Sequence, residues 1–375
     1  MTGFPIRILQ ISYGMDRGGA ETLIMNIYRN IDRTKVQFDF LLHNPARTAY
    51  EDEIESLGGR IHHIPRFLGY NKLSYDRNLK AFLLDHPEYR IIHDHLMDSA
   101  EETFRVAKKL GRITIAHSHI AESSKHLSDC IRFFFRRNLY KVCDYRFACS
   151  RAAGEWLYRG KADYTVLNNG IDTEKYRFSE EERSGKRKEL GLSPDTVLIT
   201  NIGRMVEQKN QKRLIDIFAL FRESHPDSVL MIVGTGPLEE KLKKEAGNRG
   251  VEGSVIFTGE RSDVPSLLAA SDIFLFPSLF EGLGIVLVEA EAEGLPCVFS
   301  SNIPEEVDLI PSLVRRTSLA SPDSEWAGAV EKALGEQKIS RERQYLSVRE
   351  KGYDIRESAA KMEKFYLSLS SRHED

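Results

Sequence analysis

The chain has 375 residues, with 53 Lys+Arg against 56 Asp+Glu, a formal net charge of -3, 41% hydrophobic and 29% charged residues. That composition suits a globular protein of two or three domains and offers no basic surplus for nucleic acid. No run reaches the ~18–20 apolar residues of a membrane span, and the apolar start is too short for a signal peptide, so a cytoplasmic location is expected.

In chain order, short β-branched runs alternate with stretches of helical period. The first half predicts strands at Ile6–Ile11, Phe38–Leu42, Arg60–Ile64, Arg90–His93, Ile113–His117, Tyr145–Ala148 and Thr165–Leu167. The second half predicts them at Val197–Ile202, Val229–Val233, Val255–Thr258, Ile273–Phe276 and Cys297–Phe299. Helical period marks Glu21–Asn30, Leu214–Arg222, Leu238–Ala246 and Trp326–Leu334. This alternation argues an α/β protein with two Rossmann-like, doubly wound parallel-sheet domains. Residues 1–177 form the first and 195–352 the second, with the charged segment 178–194 as linker. Residues 353–375 add a C-terminal helix over Ile355–Leu369.

Charge and histidine are unevenly spread. Residues 101–150 hold ten basic against five acidic side chains, and nine of the eleven histidines precede residue 127. Cys130, Cys143, Cys149 and Cys297 form no C-x-x-C pair, so they read as buried, reduced thiols.

Ligands of open α/β sheets bind beyond the carboxyl ends of the strands, and two facing domains leave a cleft between them. The loops after strands are therefore where chemistry is expected. After the first strand, Gly18-Gly19 open a helix whose N–H groups could receive a phosphate; a tight turn would want the same glycines. Arg204 and Lys209, in Gly203–Asn210, can neutralise a diphosphate leaving group, although a solvated loop also carries such cations. Gly234-Thr235-Gly236-Pro237 is a weaker signal, read chiefly as a turn. The densest segment is Pro277–Ala290. There Glu281, in a loop with Gly282, Leu283 and Gly284, precedes an apolar helix that begins at Ile285 and carries Glu289. Free N–H groups near Gly284 and Ile285 can receive a phosphate, while the two carboxylates accept from two sets of hydroxyls. Glu291 and Glu293 read as solvated.

His93 and His95 end one strand and His117 and His119 the next, suited to hydrogen bonds with polar ligands; no H-x-x-x-H or H-E-x-x-H spacing marks a metal site. Leu127–Tyr140 sets Arg132, Arg136 and Arg137 beside Phe133–Phe135. That pattern fits either an anionic membrane surface or a packed surface helix.

Taken together, GGAE at 18–21, HSH at 117–119, NGID at 169–172, GRMVEQKN at 203–210, GTGP at 234–237, FTGERSDV at 257–264 and FPSLFEGLGIVLVEAEAEGLPCVFS at 276–300 carry a family likeness. The chain resembles the retaining glycosyltransferases of family 4, which have the two-domain GT-B fold. The E-x7-E signature falls on Glu281 and Glu289. The opening residues look closest to bacterial enzymes of exopolysaccharide and capsule assembly.

The resemblance implies transfer of a sugar from a nucleotide diphosphate donor to an acceptor hydroxyl with anomeric retention, and with neither metal nor cofactor. A uridine diphosphate sugar is the commonest donor in the family. Arg204 and Lys209 would hold the diphosphate with Gly203, Glu289 the ribose, and Glu281 the transferred sugar. Leu283–Ile285 would complete the phosphate site, Arg261–Val264 face the base, and Gly18 and Gly19 approach from the first domain. His117 would lie beside the reacting sugar. The acceptor is read as a lipid-linked glycan. His95, His119, Arg132, Arg136 and Arg137 form the acceptor or membrane face, in peripheral contact with the inner membrane. A nucleotide-sugar epimerase or phosphorylase on the same fold, or a non-catalytic sugar- or nucleotide-binding protein, stands as the alternative.

Overall fold

A computed structural model describes residues 5–119, 136–336 and 339–371. It divides into two units, Met1–Gly170 with Asp354–Asp375, and Ile171–Tyr353. The first holds a seven-stranded parallel sheet of β1 (Ile6–Ser12), β2 (Val36–Leu42), β3 (Ile61–His63), β4 (Ile91–Asp94), β5 (Ile113–Ser118), β6 (Tyr145–Ala148) and β7 (Thr165–Val166), in the order β3-β2-β1-β4-β5-β6-β7. The second holds β8 (Leu198–Ile202), β9 (Val229–Val233), β10 (Val255–Gly259), β11 (Ile273–Phe276), β12 (Cys297–Ser300) and β13 (Val314–Thr317), in the order β10-β9-β8-β11-β12-β13.

Both orders reverse direction once, between β1 and β4 and between β8 and β11. At such a switch point the loops diverge to opposite faces and leave a crevice at the carboxyl edge. The central strands are buried on both faces, as continuous apolar runs such as Ile273-Phe274-Leu275-Phe276 require. The carboxylate of Asp39 in β2 is paired: it accepts two bonds from the Arg7 guanidinium, at 2.5 and 2.6 Å.

Two expectations need revision. Residues 178–194 are no linker between the units, because Glu180–Glu189 is a helix of the second unit, N-capped by Ser179. Its charge disguised a packing role. Arg183 and Arg187, one turn apart, turn inward and donate to the carbonyls of Ala269, Ala270 and Ser271 and to Asp272. Arg341 reaches Leu268 and Ser271. Three guanidinium groups thus satisfy the carbonyls that the helix Val264–Ala270 leaves open at its end. The other revision is β13, absent from the predicted strands. Its arginines mask an edge strand, where Arg316 pairs with Asp308 at 2.8 Å.

The helix Ile355–Ser371 packs on the sheet of the first unit, burying Ile355, Ala359, Met362, Tyr366 and Leu369 in its core. Cys143, Cys149 and Cys297 are buried, and Cys130 lies outside the described residues. Among the described residues, no helix is long and apolar enough to cross a membrane.

Candidate functional site

In the second unit the switch point gathers the loop after β8 and the loop after β11. Gln208 Nε2 donates to Phe280 O, Asn210 Nδ2 to Pro277 O, and Leu279 N to Gln208 O, at 2.8, 3.0 and 2.8 Å. These staples bring Lys209 Nζ to 2.7 Å from Glu281 Oε1, which also accepts from Ser278 Oγ at 2.6 Å. Lys209 also lies over the Phe276 ring, 4.9 Å from its centroid. The cation and the carboxylate expected to serve diphosphate and sugar are therefore direct partners. Arg204 in the same loop is exposed, with no side-chain partner among the described residues.

Close backbone approach explains two glycines here. A Cβ on Gly234 would sit 2.4 Å from Gly203 O, and one on Gly236 would sit 2.4 Å from Met205 O. Gly284 has φ +90° and stands at the N-cap of Ile285–Ala292, which no described side chain caps. A helix start with a left-handed glycine and no capping side chain keeps its first N–H groups available to an anion. Leu283 is buried beneath that turn, and Gly282 and Ile285 are half-buried.

Glu289, one turn into this helix, is half-buried, and the nearby Tyr176 hydroxyl favours its ionised form. Burial raises its pKa to about 7, against the pull of that hydroxyl. Glu291 and Glu293, expected in solvent, are buried instead. Glu291 accepts from Ile310 N at 2.5 Å, whereas neither carboxyl oxygen of Glu293 has a partner among the described residues. Burial raises Glu293 to about 8. Packing on both sides of the helix hides what its sequence period left ambiguous.

Arg261 forms a two-pronged pair with Asp263, both contacts 2.7 Å, beside Val264 at the start of the next helix. Its fork is engaged by a carboxylate, which raises its pKa and lowers that of Asp263.

In the first unit, the helix Gly19–Asn30 begins at Gly18 without a side-chain cap. A Cβ on Gly19 would meet nothing within 4 Å, so internal packing does not demand glycine there. Across the same carboxyl edge lie His93, His95, His117 and His119. Burial, reinforced by neighbouring imidazoles, lowers His93, His95 and His117 well below the usual range, and burial alone brings His119 to about 4. Neither nitrogen of His117 has a partner among the described residues. His93, bonded to Tyr366, was read only as a strand-end histidine, and neither Tyr366 nor Gln10, the partner of His95, was among the expected site residues. The two H-x-H spacings were the available signal, since period 2 puts both members on one face.

Of the expected membrane-face arginines, Arg132 lies outside the described residues and Arg137 is exposed. Arg136 turns inward instead: its guanidinium lies 4.0 Å from the Trp156 ring centroid and 3.9 Å from Asp98, with 11% of the side chain exposed. Cation–π packing has claimed it.

Residues 17–175 match the family described as Glycosyltransferase Family 4, and residues 182–351 match Glycosyl transferases group 1. EpsF of Bacillus subtilis (strain 168), itself named as a glycosyltransferase, is 32% identical over 378 residues, covering 98% of each chain. The UDP-Gal:alpha-D-GlcNAc-diphosphoundecaprenol alpha-1,3-galactosyltransferase of Escherichia coli is 30% identical over 231 residues, 58% of this chain and 59% of its own. The structure of HepE from Anabaena in complex with UDP superposes with a TM-score of 0.79 at 19% identity, over 96% of this chain and 100% of that one.

Proposed function

The chain belongs to the family 4 glycosyltransferases, and from that premise we propose that it moves a sugar from a uridine diphosphate donor to a lipid-linked glycan, with retention and without a metal in the transfer step. What carries this reading is the convergence at β8 and β11 of exposed Arg204, the Lys209–Glu281 pair and the uncapped turn at Gly284. Cations and aligned N–H groups meet the charge that grows on a departing diphosphate. In this reading Arg204 and Lys209 grip the diphosphate, and Glu281 accepts from the sugar hydroxyls while holding Lys209 in place. Glu289 accepts from the ribose. The bond from the anomeric carbon to the diphosphate oxygen breaks, and the acceptor oxygen bonds the same face. The acceptor's proton passes to the departing phosphate oxygen. His117, with two unpartnered nitrogens, hydrogen-bonds the reacting sugar.

The donor base and acceptor class follow the relatives: HepE was solved with UDP, and the Escherichia coli enzyme's name specifies a diphosphoundecaprenol-linked acceptor. The likeness of the opening residues to exopolysaccharide and capsule enzymes supports a role in such assembly. Residues 1–170 with the C-terminal helix form the acceptor domain in this proposal, and 171–353 the donor domain. Peripheral membrane contact is supported by a cluster of exposed apolar side chains, Tyr70 at 87% and Leu73 at 85%, beside Leu68.

The test is UDP release from a panel of UDP-sugars, with and without undecaprenyl-diphosphate glycans, and with NMR of the product anomer. Release that requires the acceptor and retains configuration supports the reading. Conversion of the donor alone would identify an epimerase, and consumption of inorganic phosphate a phosphorylase.

A further inference from the structure

Two H-x-H pairs stand at the carboxyl ends of neighbouring parallel strands. His93 lies level with Ile115 and Asp94 with Ala116 in the register of β4 and β5, so continuing that register one residue past the ladder sets His95 level with His117. Because side chains alternate faces, His93, His95, His117 and His119 share one face of the sheet. Their rings crowd: centroids are 4.4 Å apart for His93–His95, 5.4 Å for His93–His117, 5.1 Å for His95–His119 and 4.1 Å for His117–His119. One ring nitrogen from each of His93, His95 and His117 lies within 4.8 Å of the others.

Hydrogen bonds to fixed oxygens hold one nitrogen of His93 and one of His95. His93 Nδ1 meets Tyr366 Oη at 2.7 Å, while His93 Nε2 is buried without a partner among the described residues. His95 Nε2 meets Gln10 Oε1 at 2.9 Å. A carbonyl oxygen can only accept, so His95 carries its proton on Nε2 and presents a lone pair at Nδ1. That lone pair faces His119 Nε2 at 2.8 Å. His117 has both nitrogens buried and unpartnered. Ligating histidines are built this way, with the far nitrogen bonded to a fixed oxygen that sets tautomer and ring orientation.

We propose that His93, His95 and His117, with His119 as fourth donor, bind a divalent transition metal of the Zn²⁺ class. Four neutral imidazoles suit Zn²⁺ and its neighbours, whereas Mg²⁺ and Ca²⁺ demand oxygen. Tetrahedral Zn–N bonds of about 2.0–2.1 Å put ligand nitrogens about 3.3 Å apart, so ring rotations that close the His93, His95 and His117 nitrogens from within 4.8 Å, and open the His95–His119 pair from 2.8 Å, complete the site. Tyr366 and Gln10 act as positioning residues. The ion occupies the His117 nitrogen that faces the sugar in the proposed reaction, so metal and sugar compete there. This competition rests on the glycosyltransferase reading, but metal binding itself does not.

The experiment uses full-length, tag-free protein stripped with a chelator and titrated with Zn²⁺ by calorimetry and with Co²⁺ by visible absorption. One ion per chain, with the intense visible bands of tetrahedral cobalt, is expected. His93→Gln should weaken binding at least tenfold, as should His95→Gln. Tyr366→Phe should weaken it by about 10–100-fold, the range for a group orienting a ligand. His63→Gln, at an exposed residue outside the cluster, should leave it unchanged. Circular dichroism checks each fold, and paramagnetic broadening of the wild-type histidine signals by Co²⁺ reads the site without any variant. Failure to take up either metal, or uptake untouched by both His93→Gln and His95→Gln, overturns the site. In the transfer assay, Zn²⁺ should inhibit and the chelator restore. Bound Zn²⁺ that leaves transfer unaltered overturns the competition alone, and absence of transfer in metal-free protein counts against the glycosyltransferase reading instead.

Discussion

Removing one hydroxyl should move the pH at which nucleotide binds. Burial raises the Glu289 pKa to about 7, and the nearby Tyr176 hydroxyl partly offsets that burial by favouring the carboxylate. A hydrogen bond to a charged group contributes about 1.5–3 kcal/mol. At about 1.36 kcal/mol per pKa unit, Tyr176→Phe should raise the Glu289 pKa by about 1–2 units. If the ionised form accepts from the ribose, affinity for UDP rises with pH through the Glu289 pKa. The midpoint should lie near pH 7 in the wild type and about 1–2 units higher in Tyr176→Phe. Well above both midpoints the two proteins should bind alike, since both carboxylates are then ionised. Calorimetric Kd values for UDP across this range provide the measurement, with Glu289→Gln as the reference for titration of the phosphate itself. Superimposable profiles for wild type and Tyr176→Phe, or a full pH dependence in Glu289→Gln, would refute the coupling.

Three further outcomes are expected. Glu293 has its folded pKa raised from 4.5 to about 8, so folding takes up a proton between these values and stability falls as pH rises through the window. Denaturation midpoints should therefore show Glu293→Gln gaining on wild type by about 3 kcal/mol between pH 5.5 and 8.5, and a constant gap would remove the argument. Lys209→Ala should lower kcat by about 10²–10³-fold with a smaller change in KM, because the charge it meets grows as the bond breaks; equal turnover at saturating donor would exclude that role. For the membrane face, Tyr70→Ser with Leu73→Ser should abolish flotation with anionic vesicles, while an Arg132/Arg136/Arg137→Gln variant should retain it wherever packing rather than lipid holds Arg136. The reverse ranking would return the face to the arginine helix.

Much of this protein was legible in one dimension. The alternation of apolar strands with helical stretches is set by local physics, since buried parallel strands need unbroken β-branched runs and turns need glycine. The loops after strands announced the site for the same reason, and Gly203, Lys209, Glu281 and Gly284 stand at strand ends whatever surrounds them. Tertiary structure decided what depends on partners distant in sequence. A charged helix such as Glu180–Glu189 reads as solvated until Ala269, Ala270 and Ser271 offer open carbonyls to its arginines. Val314–Thr317 reads as loop until β12 supplies its ladder. Glu291 and Glu293 carry the same side chain as Glu289, yet burial depends on which neighbours close over the helix, and that shifts their protonation. The histidines are the sharpest case. H-x-H spacing sets two imidazoles on one face of a strand, but only the pairing of β4 with β5 makes them four, and only Tyr366, from the far end of the chain, turns His93 toward them. Local sequence dictates backbone and periodicity, whereas long-range packing fixes the dielectric, the hydrogen-bond partners and therefore the chemistry of each side chain.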